Sequence, residues 1–315
     1  MPKISVIIPV YNAEKFIEKC ISSFKEQTFS DYELIFVNDC SQDQSAIIIQ
    51  EQSHHDKRII LVDLSQNVGP MQAREYGYHK ASGDYITFCD SDDTIPKDAL
   101  QQMYKKAVEN NADIVVGNIK LIHIDGGSEL WTSSFKEDEE RYNGIKALLT
   151  GKIRHNLCAK LFSKSLFANL KDESISGLRY FEDYILMYQL TNCAQNIVIL
   201  NETVYNYIQT EGSSTQLQMS DKRLDDIVKA HKIVFNMLYP IKSLREDLLA
   251  HNQLYFSRLL AQEPKIKKRL NRKLREYGLS HIMSNIAIWK NNSFMTAIKL
   301  IIAKEAGPLI AEIKR

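Results

Sequence analysis

The chain has 315 residues, enough for one large domain with an extension or for two domains. Its hydrophobic and charged fractions, 44% and 25%, are those of a globular protein and argue against extended disorder. The formal net charge of only +1 argues against a nucleic-acid-binding protein. Five scattered cysteines without a Cys-x-x-Cys pair favour a reducing compartment and argue against a zinc site or a disulfide framework.

Strand and helix patterns alternate through the first part of the chain. Short apolar runs typical of buried strands occur at residues 4–10, 32–37, 59–62 and 85–89. Helical patterns lie between them, and Asn12 is a candidate N-cap for the first helix. Strands and helices at this spacing predict βαβ units, and therefore an α/β fold with a mainly parallel sheet.

The pattern changes after residue 117. Beyond the strand predicted at 114–116, further strands are predicted at 119–124, 129–131, 196–200 and 204–208, and helices at 142–150, 163–170 and from about 181. From residue 222 onward only helical patterns occur. We therefore predict a catalytic domain over residues 1–220, with halves at 1–117 and 118–220, and a helical extension over 221–315.

Polar groups follow three of the predicted strands. Tyr11 and Asn12 follow the first, Asp39 follows the second, and an acidic cluster follows the strand at 85–89. The carboxyl ends of the strands are where open α/β sheets bind ligands. A helix cap explains any one of these groups, but it does not explain all of them together.

The acidic cluster consists of Asp90, Asp92 and Asp93. Carboxylates this close repel each other and raise one another's pKa. A divalent cation removes that conflict, and a cation held by one or two carboxylates is suited to carry a phosphate. The alternative is a solvated acidic turn that caps the next helix.

Several segments, in the same order, resemble family 2 of the inverting nucleotide-sugar glycosyltransferases, which have the GT-A fold. They are residues 5–12, 37–43, 67–69, 73–74, 83–93 and 181–183. Each segment alone is weak evidence, but the ordered set is specific because several independent spacings must coincide. The resemblance implies a Rossmann-like mixed sheet flanked by helices. It also implies sugar transfer from a nucleotide-diphosphate sugar, most commonly a UDP-sugar, to a hydroxyl of a saccharide or lipid-linked acceptor in bacterial cell-surface polysaccharide synthesis.

The resemblance implies a nucleotide site at the first strand ends, formed by Pro9, Tyr11, Asn12 and Asp39. In such a site Tyr11 stacks on the base and Asp39 accepts a hydrogen bond from a ring N–H. Arg74 faces the nucleotide or its diphosphate, where a guanidinium fork suits phosphate oxygens.

The acidic cluster matches the family's Asp-x-Asp motif. Asp92 is implied as a direct ligand of Mn²⁺ or Mg²⁺, with Asp90 towards the ribose or a metal-bound water and Asp93 close by. The ion bridges to the diphosphate and neutralises charge as the leaving group departs.

Asp183 matches the family's catalytic base, which takes the proton of the attacking acceptor hydroxyl. Glu182 is implied as a support or an acceptor contact. Lys160 resembles a lysine of many relatives, either as a structural ion pair or as a substrate contact. One departure is Gln209, because many relatives have an arginine after the corresponding Tyr-x-Tyr strand.

Two other classes of function stay open. Asp90-x-Asp92-x-Thr94 also fits the first motif of haloacid-dehalogenase-like phosphatases, with Asp90 as the nucleophile. That motif is expected on the first strand, and it leaves Tyr11 and Asp183 without a role. A non-catalytic scaffold or binding protein is the other class.

The C-terminal part is strongly basic. Residues 264–315 contain twelve Lys or Arg and three Glu, a charge of +9 that leaves −8 for the rest. Residues 265–304 are therefore a candidate for peripheral contact with an anionic membrane. The alternative is packing on the catalytic domain or on a second subunit in an oligomer. With no signal-peptide pattern and no long apolar run, we expect a cytoplasmic protein, at the inner face of the cell membrane if residues 265–304 bind it.

Overall fold

The computed structural model describes residues 1–134, 143–170, 177–210, 219–280 and 282. It divides into two compact units, Met1–Leu248 and Leu249–Arg315. The predicted boundary of the catalytic domain near residue 220 stays a prediction.

The first unit contains all of the described strands. They are β1 (Ile4–Val10), β2 (Tyr32–Asn38), β3 (Ile59–Asp63), β4 (Tyr85–Phe88), β5 (Ile114–Ile122), β6 (Ser128–Trp131), β7 (Lys160–Ser163) and β8 (Ile197–Ile208). The first helices are α1 (Ile17–Lys25), α2 (Ser45–His55), α3 (Pro70–Lys80), α4 (Ala99–Glu109), α5 (Asn143–Leu149) and α6 (Glu182–Cys193). The remaining helices are α7 (Asp221–Leu238), α8 (Arg245–Gln262) and α9 (Lys267–Glu276).

The described strands form one mixed sheet in the order β3-β2-β1-β4-β7-β5-β6, with β8 paired to the other side of β5. β1 pairs in parallel with β2 and β4, and β8 is parallel to β5. β6 and β7 are antiparallel to their neighbours. The mostly apolar strands β1 and β2 are buried because helices cover both faces of such a sheet. The predicted mixed, mainly parallel α/β sheet is confirmed.

Four local predictions were wrong. The strands predicted separately at 114–116 and 119–124 are one strand, β5. Asn12 does not cap α1, which begins at Ile17 without a side-chain cap. Asn12 instead has a φ of 52° and accepts a hydrogen bond from the Gln42 N–H at 2.8 Å. The predicted helix at 163–170 is the end of β7 followed by a 3₁₀ turn, Lys164–Asn169. The two short strands predicted at 196–200 and 204–208 are one strand, β8, with an irregular register near its middle.

A close helix-to-strand contact places α3 against the sheet. A Cβ atom at Gly77 would lie 2.3 Å from Cγ2 of Ile7, so only glycine allows this approach. Because Arg74 lies one turn before Gly77, the contact holds Arg74 close to the carboxyl end of β1 and β4.

The described part of the second unit is helical. α9 buries Leu270 and Leu274, while its opposite face carries exposed lysine and arginine. Within the described residues, no helix combines the length and apolar character needed to cross a membrane. The apolar stretch at 294–303 lies outside the described residues.

Candidate functional site

The acid loop, residues 90–93, follows β4 at the carboxyl end of the sheet. Asp90 and Asp92 are partly exposed there, whereas Asp93 is fully buried. The loop therefore presents two of its carboxylates outward and turns the third into the protein.

Arg74 on α3 links the acid loop to the start of helix α6, which lies far along the chain in sequence. Its Nη2 donates to Asp90 Oδ1 at 2.9 Å, and its Nη1 lies 3.2 Å from Asp183 Oδ1 and 3.6 Å from Glu182 Oε1. Burial is the largest single effect on the pKa of Arg74 and lowers it, but Asp183, Asp90 and Glu182 together raise that pKa above its ordinary value. The charge is therefore permanent. The Nε of Arg74 is buried without a hydrogen-bond partner in the described part of the chain.

Glu182 and Asp183 open helix α6. Phe181, just before the helix, has a φ of 67°, and a bulky residue in this left-handed region is backbone strain of the kind found at functional sites. Burial and then Asp183 raise the pKa of Glu182 to about 8, against the opposing effect of Arg74. Burial is also the main cause that raises the pKa of Asp183, and Arg74 opposes it.

Asp92 has the character of an incomplete cation site. Burial and the charge of Asp90 raise the pKa of Asp92 to about 6. A crowded, oxygen-rich pair of this kind fits a hard divalent cation, which would relieve the repulsion. Among the described residues, no group of three or more His, Cys, Asp or Glu forms a preformed metal cage. The residues present therefore fit an ion that arrives with additional oxygen ligands.

Asp93 is engaged inside the protein. Its Oδ2 accepts a hydrogen bond from the Tyr205 hydroxyl at 2.6 Å, and its Oδ1 accepts one from the Ile208 N–H at 2.7 Å. Burial, followed by Asp90 and Asp92, raises its pKa to about 8, and the two hydrogen bonds act in the opposite direction. Asp93 thus anchors the acid loop to β8.

The strand ends of β1 and β2 form the neighbouring surface. Tyr11 is 51% exposed, whereas Asp39 is buried. The Asp39 carboxylate accepts from the Val68 N–H at 2.6 Å and from the Gly69 N–H at 2.8 Å. Each oxygen of a carboxylate has a second lone pair, so Asp39 retains acceptor capacity while it shapes this turn. Pro9 lies within β1 beside Val37 of β2.

Lys160 is buried in β7 beneath the site. Its Nζ donates to the carbonyl oxygen of Asn156 at 2.6 Å and lies 3.4 Å from that of Cys158. Burial lowers the pKa of Lys160 to about 7. It makes no ion pair with a carboxylate of the described residues, although its charge acts to lower the pKa of Asp183. Its hydrogen bonds to main-chain carbonyl oxygens favour a structural role in the loop before β7.

The structure thus brings Arg74, Asp90, Glu182 and Asp183 into direct contact, and it holds Asp92 and Asp93 on the same loop. It leaves Lys160 outside this cluster. Two further residues reach Asp90 that sequence reasoning did not select: the Cys158 Sγ lies 3.7 Å from Asp90 Oδ2, and the Tyr205 hydroxyl accepts from the Asp90 N–H at 3.0 Å. The Tyr-x-Tyr pattern of β8 was the available signal for Tyr205.

Comparison with known proteins identifies related sequences. The model of the family described as glycosyl transferase family 2 matches residues 5–169. The glycosyltransferase GlyA of Streptococcus pneumoniae is 32% identical over 253 residues, which are 76% of this chain and 36% of that protein. The poly(ribitol-phosphate) beta-glucosyltransferase of Bacillus spizizenii is 33% identical over 210 residues, 65% of this chain and 32% of that protein. The chain thus spans about a third of the length of each of these two relatives.

A solved structure has the same fold. The crystal structure of S. aureus TarS in complex with UDP-GlcNAc superposes with a TM-score of 0.70 over 87% of this chain and 80% of that chain. At 22% sequence identity, this likeness shows the fold.

Proposed function

Because the chain belongs to glycosyl transferase family 2, we propose that it moves a sugar from a UDP-sugar to a hydroxyl of a saccharide or lipid-linked acceptor, with inversion at the anomeric carbon. The GT-A fold is common to this chain and to its structural neighbours. The identity of donor, metal and acceptor, and the role of each residue, are parts of the proposal.

The observation that carries the proposal is the contact of Arg74 with both Asp90 and Asp183. Asp90 belongs to the acid loop that faces the leaving diphosphate in the proposal, and Asp183 is the proposed base. Inverting transfer needs a carboxylate on the side opposite the leaving group and donors on the leaving-group side. Arg74 contacts both the proposed base, Asp183, and Asp90 on the leaving-group side. Its Nε, which has no hydrogen-bond partner among the described residues, adds a buried donor that suits a phosphate oxygen.

In the proposed reaction, the Asp183 carboxylate accepts the proton of the acceptor hydroxyl. The acceptor oxygen forms a bond to the anomeric carbon as the bond from that carbon to the diphosphate oxygen breaks, and UDP leaves with the electron pair. Its burial raises the pKa of Asp183, so it is a stronger base than an exposed aspartate once it is ionised. Arg74 orients that carboxylate through the 3.2 Å contact.

Asp92 and Asp90 would hold a divalent cation, Mn²⁺ or Mg²⁺. When bound, the ion supplies charge neutralisation for the departing diphosphate. Burial and then the charge of Asp90 raise the pKa of Asp92 to about 6, and a bound cation would offset both effects, which supports this assignment.

The nucleotide would lie at the ends of β1 and β2. The exposed ring of Tyr11 offers a stacking surface for the base, and the Asp39 carboxylate offers acceptor capacity beside it. Pro9 and Asn12 are the other residues of the proposed nucleotide site at the end of β1. The structural neighbour TarS carries UDP-GlcNAc, which supports UDP as the nucleotide.

The acceptor would be a component of a bacterial surface polymer. One relative is named for glucosyl transfer to poly(ribitol phosphate), which supports a polymer or a lipid-linked precursor as the acceptor class. In the proposal, Glu182 supports Asp183, since both side chains contact Arg74.

The helix α9 supports a peripheral position at an anionic membrane, on the cytoplasmic side. Exposed cations recur along one face, at Lys268, Arg272 and Arg275, opposite the buried Leu270 and Leu274, and the exposed Lys265 lies just before the helix. Such a stripe fits anionic headgroups. Co-sedimentation with phosphatidylglycerol vesicles at low salt tests it. Binding that K268E/R272E weakens is expected, and no binding by the unmodified chain would contradict the membrane position.

The reaction is tested with a panel of UDP-, GDP- and TDP-sugars, each with MnCl₂ and with chelator. We expect nucleotide release from a UDP-sugar that needs the metal and increases with acceptor. Nucleotide release that depends neither on the metal nor on the identity of the nucleotide base would contradict the proposal. Phosphate release from sugar phosphates without nucleotide would instead favour a phosphatase.

A further inference from the structure

Tyr205 of β8 binds the acid loop from behind. Its hydroxyl donates to Asp93 Oδ2 at 2.6 Å and accepts from the Asp90 N–H at 3.0 Å. The side chain is among the largest that are fully buried in the described residues, so water does not compete for these bonds. One phenol therefore fixes both ends of the loop.

The main chain of β8 adds further bonds to the same loop. The Ile208 N–H donates to Asp93 Oδ1, and Thr94 and Asn206 exchange two main-chain hydrogen bonds at 2.9 and 3.3 Å. β8 lies beyond residues 5–169, which the family model matches, and it pairs with β5 rather than with β4. The geometry of the acid loop thus depends on a strand far along the chain.

The three carboxylates of the acid loop have different partners. Both oxygens of Asp93 are used within the protein. Asp92 has a side-chain hydrogen bond with Thr210 but no ion-pair partner among the described residues, and Asp90 contacts Arg74. Asp93 is therefore placed to anchor, and Asp90 and Asp92 are placed to face a ligand.

We propose that Tyr205 is a positioning residue of the donor site. Its hydroxyl, through the Asp90 main chain and the Asp93 carboxylate, keeps Asp90 and Asp92 in the geometry that receives a divalent cation together with a nucleoside diphosphate. This inference rests on the proposed function.

The test compares Y205F with Y207F. Tyr207 lies two residues further along the same strand, stacks on Trp131 with 5.9 Å between ring centroids, and its hydroxyl makes no hydrogen bond within the described part of the chain. Y207F therefore removes the same atom from the same strand without touching the acid loop. Binding of MnCl₂ alone is measured by electron paramagnetic resonance. Binding of UDP is measured by calorimetry with MnCl₂ and with EDTA.

We expect Y205F to lower the affinity for UDP in MnCl₂ by about tenfold, the loss typical of one or two buried hydrogen bonds, and to weaken MnCl₂ binding. The UDP affinity in EDTA should change by less than about twofold, and Y207F should match the wild type in every condition. In turnover, Y205F should raise the KM for the donor more than it lowers kcat.

Equal UDP affinity of Y205F and wild type in MnCl₂ would overturn the inference, and so would an equal loss with and without metal. If Y205F does not fold, D93N replaces it, because the single amide oxygen of Asn can accept from only one of the two donors that the carboxylate binds, the Tyr205 hydroxyl and the Ile208 N–H, and the same outcomes apply. A wild type that binds neither MnCl₂ nor UDP would contradict the proposed function itself.

Discussion

The guanidinium of Arg74 lies 3.2 Å from the carboxylate of Asp183, although the two residues are 109 positions apart in the sequence. The same guanidinium bonds Asp90 at 2.9 Å. The acid loop and the start of α6 therefore share a cation, and the two halves of the proposed transfer site are electrostatically joined before any substrate arrives.

The first prediction concerns this shared cation. R74M leaves the carboxylates of Asp90 and Asp183 without their counter-ion, which should lower the free energy of unfolding near neutral pH by about 3–5 kcal/mol. R74K should lose less, since it keeps the charge but not the fork. Urea denaturation measures both variants.

The control is K105M, which breaks the exposed pair of Lys105 with Glu109 on α4. It should change the free energy of unfolding by less than about 1 kcal/mol. An R74M protein as stable as K105M would show that the cluster does not need its cation.

The second prediction concerns the pH dependence of stability. Burial and Asp183 raise the pKa of Glu182 to about 8 in the folded protein. Its contribution to stability is complete below the ordinary pKa of glutamate and is lost as the pH rises towards about 8, because the unfolded chain releases a proton that the folded chain retains. In E182Q this site no longer titrates.

Thermal unfolding at about pH 5, 6.5 and 8 checks the sign. The midpoint of the wild type should fall more steeply with rising pH than that of E182Q. E18Q is the control, because Glu18 on α1 is exposed. A pH profile of E182Q parallel to that of the wild type would contradict the shifted pKa.

The third prediction concerns the nucleotide. Y11A should weaken UDP binding by about 1–3 kcal/mol, the usual value of one base stacked on an aromatic ring, whereas Y11F should bind as the wild type does. Because Tyr11 is 51% exposed, neither change should lower the thermal midpoint noticeably. Calorimetry with UDP measures the affinities. Unaltered binding by Y11A would contradict a position of the nucleotide base at the end of β1.

The sequence predicted the parts of the fold that depend on local pattern. β1, β2 and β4 are short, mostly apolar runs, which predicts that the polar residues after them lie at the sheet edge where ligands bind. β7 was missed because it has four residues, includes the buried Lys160, and is inserted antiparallel between β4 and β5. No periodicity reveals such an insertion.

The candidate site was predicted as separate motifs and not as contacts. The chemical types of Asp90, Asp92 and Asp183 are visible in the sequence, but the distances from Arg74 to Asp90 and Asp183 arise only from packing. The same is true of Asp39, whose carboxylate shapes the turn at Val68 and Gly69, a tertiary contact across about thirty residues. The sequence does not distinguish the anchoring role of Asp93 from the ligand-facing position of Asp92. The hydrogen bond from the Tyr205 hydroxyl to Asp93 makes this distinction.

The most direct measurement is turnover of a UDP-sugar by D183N beside its UDP affinity, with MnCl₂ and a saccharide acceptor present. Loss of a general base should lower kcat by about 10²–10⁴-fold, while the affinity for UDP stays within about twofold of the wild type. D183N should also be no less stable than the wild type, because the change removes a carboxylate whose pKa burial raises. Wild-type turnover by D183N would contradict the assignment of Asp183 as the base, and with it the central claim.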